Sequence, residues 1–242
     1  MTTTEPLYVS LHIPKTGGSS LRQILEQRFG DRLQRAYNKR EGWPILDDPA
    51  CIHGHGIFQD FMDTIRRHGD VKWMTFLRDP LRGAISGYFF GKRRHAELGD
   101  SAPFTDRGLE TWLTHTEEFH FPDPPGYNHN RYSKWFEKRP AEKYDYIGIT
   151  EAFDECLVLL YRMFDWEPLY YTPENVGGYA APDLPESLVS RFRELNEKDY
   201  SIYDAARRRL DTLKIEYGAE FVGDLAKFKK QIGKTQSSEQ EH

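Results

Sequence analysis

The sequence predicts an α/β protein, a three-layer fold with a central parallel sheet flanked by helices. Apolar, β-forming runs at Leu7–Ile13, Ala50–Gly56, Val71–Leu77 and Tyr144–Ile149 each lead into a turn and then a helical pattern. Strands that alternate with helices imply parallel pairing with both sheet faces covered. A chain of 242 residues, 38% of them hydrophobic, can bury a substantial core. No internal repeat or clean linker interrupts it, so one domain is expected over residues 1–232, with a polar, disordered tail over 233–242. Ligands of such sheets bind beyond the carboxyl ends of the strands. Lys15, His55 and Arg78 all follow predicted strands.

The first run ends at Pro14-Lys15-Thr16-Gly17-Gly18-Ser19-Ser20, and a helix is predicted over Ser19–Phe29 with Leu21, Ile24, Leu25 and Phe29 on one face. Residues 31–49 read as mixed loop, marked by Trp43-Pro44 and Asp47-Asp48-Pro49. A short strand then enters the turn His53-Gly54-His55-Gly56, and one helix is expected over Phe58–His68. After the strand Val71–Leu77, Asp79 suits an N-cap and Pro80 a first helical turn. That helix continues through Ser86 to the basic run Lys92-Arg93-Arg94-His95. Further helices are expected at 109–116, 128–138, from Thr150, at 186–196 and at 199–230. Between them, residues 168–185 form a Pro/Gly-rich loop placed to close over a ligand.

The chemistry concentrates in two segments. Paired glycines let the chain turn sharply and approach a ligand, and the N–H groups of Gly17, Gly18, Ser19 and Ser20 would face an anion at the helix N-terminus. Lys15 adds a mobile positive charge, and Ser19 and Ser20 offer hydroxyls or caps. In the second segment, Arg78-Asp79-Pro80-Leu81-Arg82-Gly83-Ala84-Ile85-Ser86, an arginine fork at a strand end and a hydroxyl two turns later suit a phosphate monoester.

Together these segments resemble the two signature segments of sulfotransferases that use 3′-phosphoadenosine 5′-phosphosulfate (PAPS). The likeness is nearest to the heparan and uronyl 2-O-sulfotransferase branch and its bacterial relatives. It extends to His53-Gly54-His55 with Phe58 and Asp60-Phe61, and to Tyr146-Ile147-Gly148-Ile149-Thr150-Glu151, covering about residues 7–165. The resemblance implies a P-loop-like fold and sulfuryl transfer to a hydroxyl of a glycan, lipid or small metabolite. It implies that Lys15 contacts the bridging and sulfuryl oxygens, with Thr16, Gly17, Gly18, Ser19 and Ser20 around the 5′-phosphate. It gives Arg78 and Ser86 the 3′-phosphate of PAPS and of the product PAP, and His55 the role of catalytic base. Two features depart from the family: a short segment, Pro173–Tyr179, stands in place of a long basic loop, and the membrane anchor of the animal enzymes is missing.

Competing readings bound these expectations. A net charge of −5 argues against a nucleic-acid partner. Only two cysteines, no apolar stretch of membrane-spanning length and no signal peptide fit a cytoplasmic protein. Cys51, His53 and His55 alternate and could face one zinc ion, but the flanking glycines and crowding make poor geometry, so no metal is expected. His12 and His53 read as packed histidines, His95, His115, His120 and His129 as surface residues, and Lys92–Arg94 as a solvated helix end or an acceptor contact. Asn128 and Arg131 are weighed between helix capping and the acceptor cleft. A nucleotide kinase would place its lysine after the glycines, whereas Lys15 precedes them; a non-catalytic protein of the PAPS fold is the remaining alternative.

Overall fold

A computed structural model describes residues 5–37, 45–99, 108–114, 129–172 and 182–239. Its elements run β1 (Leu7–Leu11), α1 (Gly18–Phe29), β2 (Leu33–Arg35), β3 (Cys51–Gly54), α2 (Ile57–Asp60), α3 (Met62–Arg67), β4 (Val71–Leu77), α4 (Pro80–Leu98), α5 (Leu109–Thr114), α6 (Arg131–Phe136), β5 (Tyr146–Ile149), α7 (Phe153–Phe164), α8 (Glu186–Leu195), α9 (Glu197–Tyr217) and α10 (Glu220–Glu239). The five strands pair in parallel, in the order β2-β3-β1-β4-β5, and helices flank them. The expected α/β class is the observed one.

This order puts β1 in the centre. From β1 the chain crosses towards β2, whereas from β3 and β4 it crosses the other way. The carboxyl end of β1 is therefore the switch point at which ligands bind in open parallel sheets.

The chain divides into two compact units. The first comprises Met1–Leu77, Lys138–Asn175 and Ala206–His242. All five residues of β1 are buried, and Val9, Ile24, Leu25, Ile52, Met74 and Leu77 lie fully inside. Each such side chain contributes about 1.5–3 kcal/mol relative to an exposed one. Tyr8, Phe29, Phe164 and Trp166 pack as an aromatic cluster with ring centroids 4.8–5.4 Å apart. The Cys156 thiol is held between the Ile149 N–H and C=O, and burial pushes it up to about 12. Cys51 and Cys156 are both buried and free.

The second unit comprises Arg78–Glu137 and Val176–Ala205. Its core joins Ile85 and Tyr88 of α4, Trp112 and Leu113 of α5, Leu188 and Phe192 of α8, and Tyr200 of α9. Asp79 caps α4 as its sequence suggests, accepting the Arg82 N–H at 2.9 Å, with Pro80 in the first turn.

Four segments differ from the sequence expectation. The stretch read as loop contains β2, whose short, partly polar pattern gives little strand signal; β3 alone pairs with it, and Arg35 marks it as a charged edge. The helix expected from Phe58 is two, α2 and α3, broken at Phe61, which is buried with non-helical backbone angles. The long helix expected over 199–230 is also two, because Gly218 takes a left-handed conformation with φ 84° between α9 and α10. α10 itself continues to Glu239, into the stretch read as a tail: one glycine and no proline from 233 to 239 leave the helix unbroken. Residues 173–181, 115–120 and 128, where part of the closing loop, His115, His120 and Asn128 were singled out, lie outside the described residues. Among the described residues no helix is long and apolar enough to cross a membrane.

Candidate functional site

The turn after β1 is built from within. The Thr16 hydroxyl donates to the Ile13 carbonyl at 2.7 Å, closing a tight loop around Pro14 and Lys15. Lys15 is held at φ 68°, a conformation rare for a residue with a Cβ, and one that is kept where the surroundings over-determine it. Gly17 follows at φ 84° as the residue before α1. The helix's own ladder begins with Leu21 N–H donating to Gly17 C=O at 3.1 Å. The N–H groups of Gly18, Ser19 and Ser20 precede it, and Gly17 at the N-cap has no side chain to cap them. A helix start of this kind attracts an anion through both its N–H groups and its dipole.

Beside this turn lie three histidines. The His12 ring stacks with that of His53, with centroids 5.5 Å apart, and with that of His55, at 4.6 Å. Their assembly follows from the sheet: β3 pairs with β1 in a register that sets Ser10 opposite His53 and Leu11 opposite Gly54. The His12 N–H donates to the Gly54 carbonyl at 3.0 Å, and in return the His12 carbonyl accepts from His55 Nδ1 at 2.5 Å. A carbonyl can only accept, so Nδ1 of His55 carries a proton, and in the neutral ring the lone pair is on Nε2. Tyr37, just past β2, places its hydroxyl 3.0 Å from His12 Nδ1 and sets its ring edge-on to all three imidazoles.

His53 is fully buried, with Nδ1 2.9 Å from the Ser10 hydroxyl and Nε2 without a hydrogen-bond partner. Burial, with His55 and Arg22 close enough to add repulsion, lowers it to about 3. Burial likewise takes His12 well below its ordinary value, helped by His55, His53, Lys15 and Arg22. Both rings are thus neutral at pH 7. Burial pushes the Cys51 thiol up, so it keeps its proton. No group of His, Cys, Asp or Glu among the described residues is arranged to hold a metal ion.

Gly18 shows how tightly the turn closes on this stack. A Cβ built there would lie 1.9 Å from Nε2 of His12. His12 is held there by contacts with both of the other rings and by the Tyr37 hydroxyl. We expect Gly18→Ala to destabilise the protein by about 1–3 kcal/mol, visible as a lowered Tm. An unchanged Tm would mean that the first helical residue and the histidine stack are not in contact.

Arg78 and Ser86 belong to the second unit. The Arg78 peptide is bracketed by one side chain: its N–H donates to the Tyr132 hydroxyl at 3.2 Å, and that hydroxyl donates to its carbonyl at 2.6 Å. Tyr132 is itself set by Asp199, whose buried carboxylate accepts the N–H groups of Tyr132 and Ser133 at 2.8 and 3.0 Å and so caps α6. Ser86 is buried within α4. A cavity of about 30 Å³ in this unit is lined by Gly83, Trp112, His129, Arg131, Asn196 and Asp199. His129, read as a surface residue, is half-buried there and donates from Nε2 to the Leu113 carbonyl at 3.2 Å. Lys92 and Arg93 are exposed on α4, Arg93 near Glu97, in keeping with a solvated helix end.

No protein-family model matches this chain, and no curated protein matches it by sequence. Among solved structures it is similar to mouse sulfotransferase SULT7A1 complexed with PAP, at 13% identity and a TM-score of 0.47, over 80% of this chain and 64% of that one. It is also similar to a sulfotransferase from Alicyclobacillus acidocaldarius, at 12% identity and a TM-score of 0.44, over 88% of this chain and 100% of that one. The chain thus spans a little under two thirds of the mouse enzyme's length.

Tyr37 and Asp199 escaped the sequence reading. Tyr37 sits in a stretch taken for loop. Asp199 sits at the start of a helix, where an acidic residue has an ordinary explanation.

Proposed function

We propose that this chain is a sulfotransferase that moves a sulfuryl group from PAPS to an acceptor hydroxyl by in-line displacement. The observation that carries the reading is the hydrogen bond from His55 Nδ1 to the His12 carbonyl. It leaves the lone pair on Nε2, in a ring stacked on the residue that packs against the first turn of α1. A base and an anion-binding helix start are thereby joined through one side chain.

The residues divide the work as follows. The N–H groups of Gly18, Ser19 and Ser20, at the positive end of the α1 dipole, receive the 5′-phosphate oxygens. Lys15 neutralises charge that grows on the bridging oxygen as the bond from sulfur to the 5′-phosphate breaks. His55 Nε2 takes the proton of the attacking hydroxyl as the new oxygen–sulfur bond forms, and the leaving group departs as PAP. The same reading assigns the 3′-phosphate to Arg78 and Ser86, and the adjoining main chain to Tyr132. The acceptor class that fits is a hydroxyl-bearing glycan, lipid or small metabolite.

Thermal unfolding with PAP, ADP and Mg·ATP at matched concentrations tests the donor. A ligand at about a hundred times its Kd adds roughly 2.7 kcal/mol of stability. Stabilisation by PAP well beyond that by ADP is the expected result. Stabilisation by Mg·ATP alone would replace this reading with a nucleotide kinase, and no shift with any of the three would remove the donor assignment.

A further inference from the structure

The base in this reading is a single ring, and a lone imidazole at the mouth of a turn is free to rotate and to change tautomer. The molecule invests heavily in preventing that. The His12 carbonyl fixes His55 Nδ1, and the His12 ring forms the floor on which His55 lies, 4.6 Å between centroids and 29° from parallel. His12 is fixed in turn from three sides: His53 stacks behind it within 10° of parallel, Gly18 leaves no room beside Nε2, and Tyr37 meets Nδ1 with its hydroxyl. The Tyr37 ring also stands at 88° to His55 with centroids 5.0 Å apart, so one residue touches both the floor and the base.

Resting on the sulfotransferase reading, we propose that Tyr37 and His12 are the positioning residues of the reaction: Tyr37 locks the His12 ring, and His12 holds His55 in the Nδ1–H tautomer with Nε2 turned to the acceptor hydroxyl. The arrangement parallels the role of a carboxylate behind a catalytic histidine. There is one physical difference. The orienting oxygen is a neutral carbonyl and the floor is a neutral ring, so orientation is supplied without a fixed negative charge beside the base. Neither residue gives or takes a proton in the reaction; both act through His55.

The test uses the full chain with isotope-labelled histidines, and it reads the tautomer of His55 by nitrogen NMR. The wild type should show a protonated Nδ1 and a bare Nε2, the reverse of the form that neutral imidazole favours in water. Tyr37→Phe keeps the ring and deletes only the hydroxyl, so the fold is preserved. In it, the Nδ1–H form of His55 should fall from dominant to a minority, and PAP release from PAPS, with water as acceptor, should slow by about tenfold. His12→Ala keeps the main-chain carbonyl but removes the ring that aims His55 Nδ1 at it, so it should shift the tautomer at least as far. PAP affinity should be unchanged in Tyr37→Phe. A wild-type tautomer pattern in both variants would overturn the proposal, and so would a lost tautomer with an unaltered rate of PAP release. Failure of the wild type to bind PAP would instead strike the donor reading, while the tautomer measurement would still decide whether Tyr37 and His12 orient His55.

Discussion

His55→Ala is expected to lower sulfuryl transfer by about a hundredfold or more while leaving PAP affinity intact. The separation follows from what each group touches. In the proposed reading the anion is received by main-chain N–H groups of α1 and by Lys15, whereas His55 is held through Nδ1 to the His12 carbonyl. In the same reading the proton goes to Nε2, the ring nitrogen opposite the bond to the His12 carbonyl. Radiolabelled PAPS offered with a panel of hydroxyl acceptors measures transfer, and calorimetric titration with PAP measures binding. Equal loss of both would show that His55 is part of the nucleotide site rather than the base. Unchanged transfer would show that another group takes the proton. A Tm measurement belongs beside both, because His12 loses a stacking partner in the variant.

The sequence was most readable where one local signal settles the structure. The strand–turn–helix around Lys15, the cap at Asp79 and the paired glycines at 17 and 18 are each written within a few residues. The parallel sheet followed from alternation alone. What could not be read was adjacency. His12 and His53 were legible as packed histidines and the resemblance singled out His55, but nothing local says that β3 lies beside β1 in the register that brings all three together. Tyr37 was hidden for the same reason, since β2 is three residues long and its pairing with β3 is what delivers the tyrosine to the stack. The bracket that Tyr132 places on the Arg78 peptide joins residues 54 positions apart and has no sequence pattern at all. Gly218 was different: it was a visible stop signal, overridden in the reading by the helical pattern on either side.

Acidification gives the largest expected effect on stability, and its sign is set by the buried histidines. In the folded protein His53 titrates at about 3 against an ordinary 6.5, and His12 is also well below its ordinary value. Between those limits the unfolded chain holds protons that the folded chain refuses, so stability falls as pH falls. Each such proton costs about 1.4 kcal/mol per pH unit. For His53 the loss starts near pH 6.5 and continues towards pH 3. Asp199 in the second unit has the opposite sign. Burial raises it from 3.8 to about 6, so in that window the folded form holds the extra proton and acid stabilises it. Where these groups titrate together, two histidines oppose one carboxylate, so on balance acid acts against folding. Against a total of about 5–15 kcal/mol, a loss of this kind over a few pH units is a measurable share. Urea midpoints measured from pH 7 to pH 4 should drop steadily. In His53→Phe, which keeps an aromatic ring in the stack but cannot titrate, the slope should be shallower by one proton, even though the Ser10 hydroxyl loses its partner and lowers the midpoint at pH 7. An equal slope in wild type and variant would mean that His53 is not held neutral by its burial, and the neutral stack beneath His55 would have to be abandoned with it.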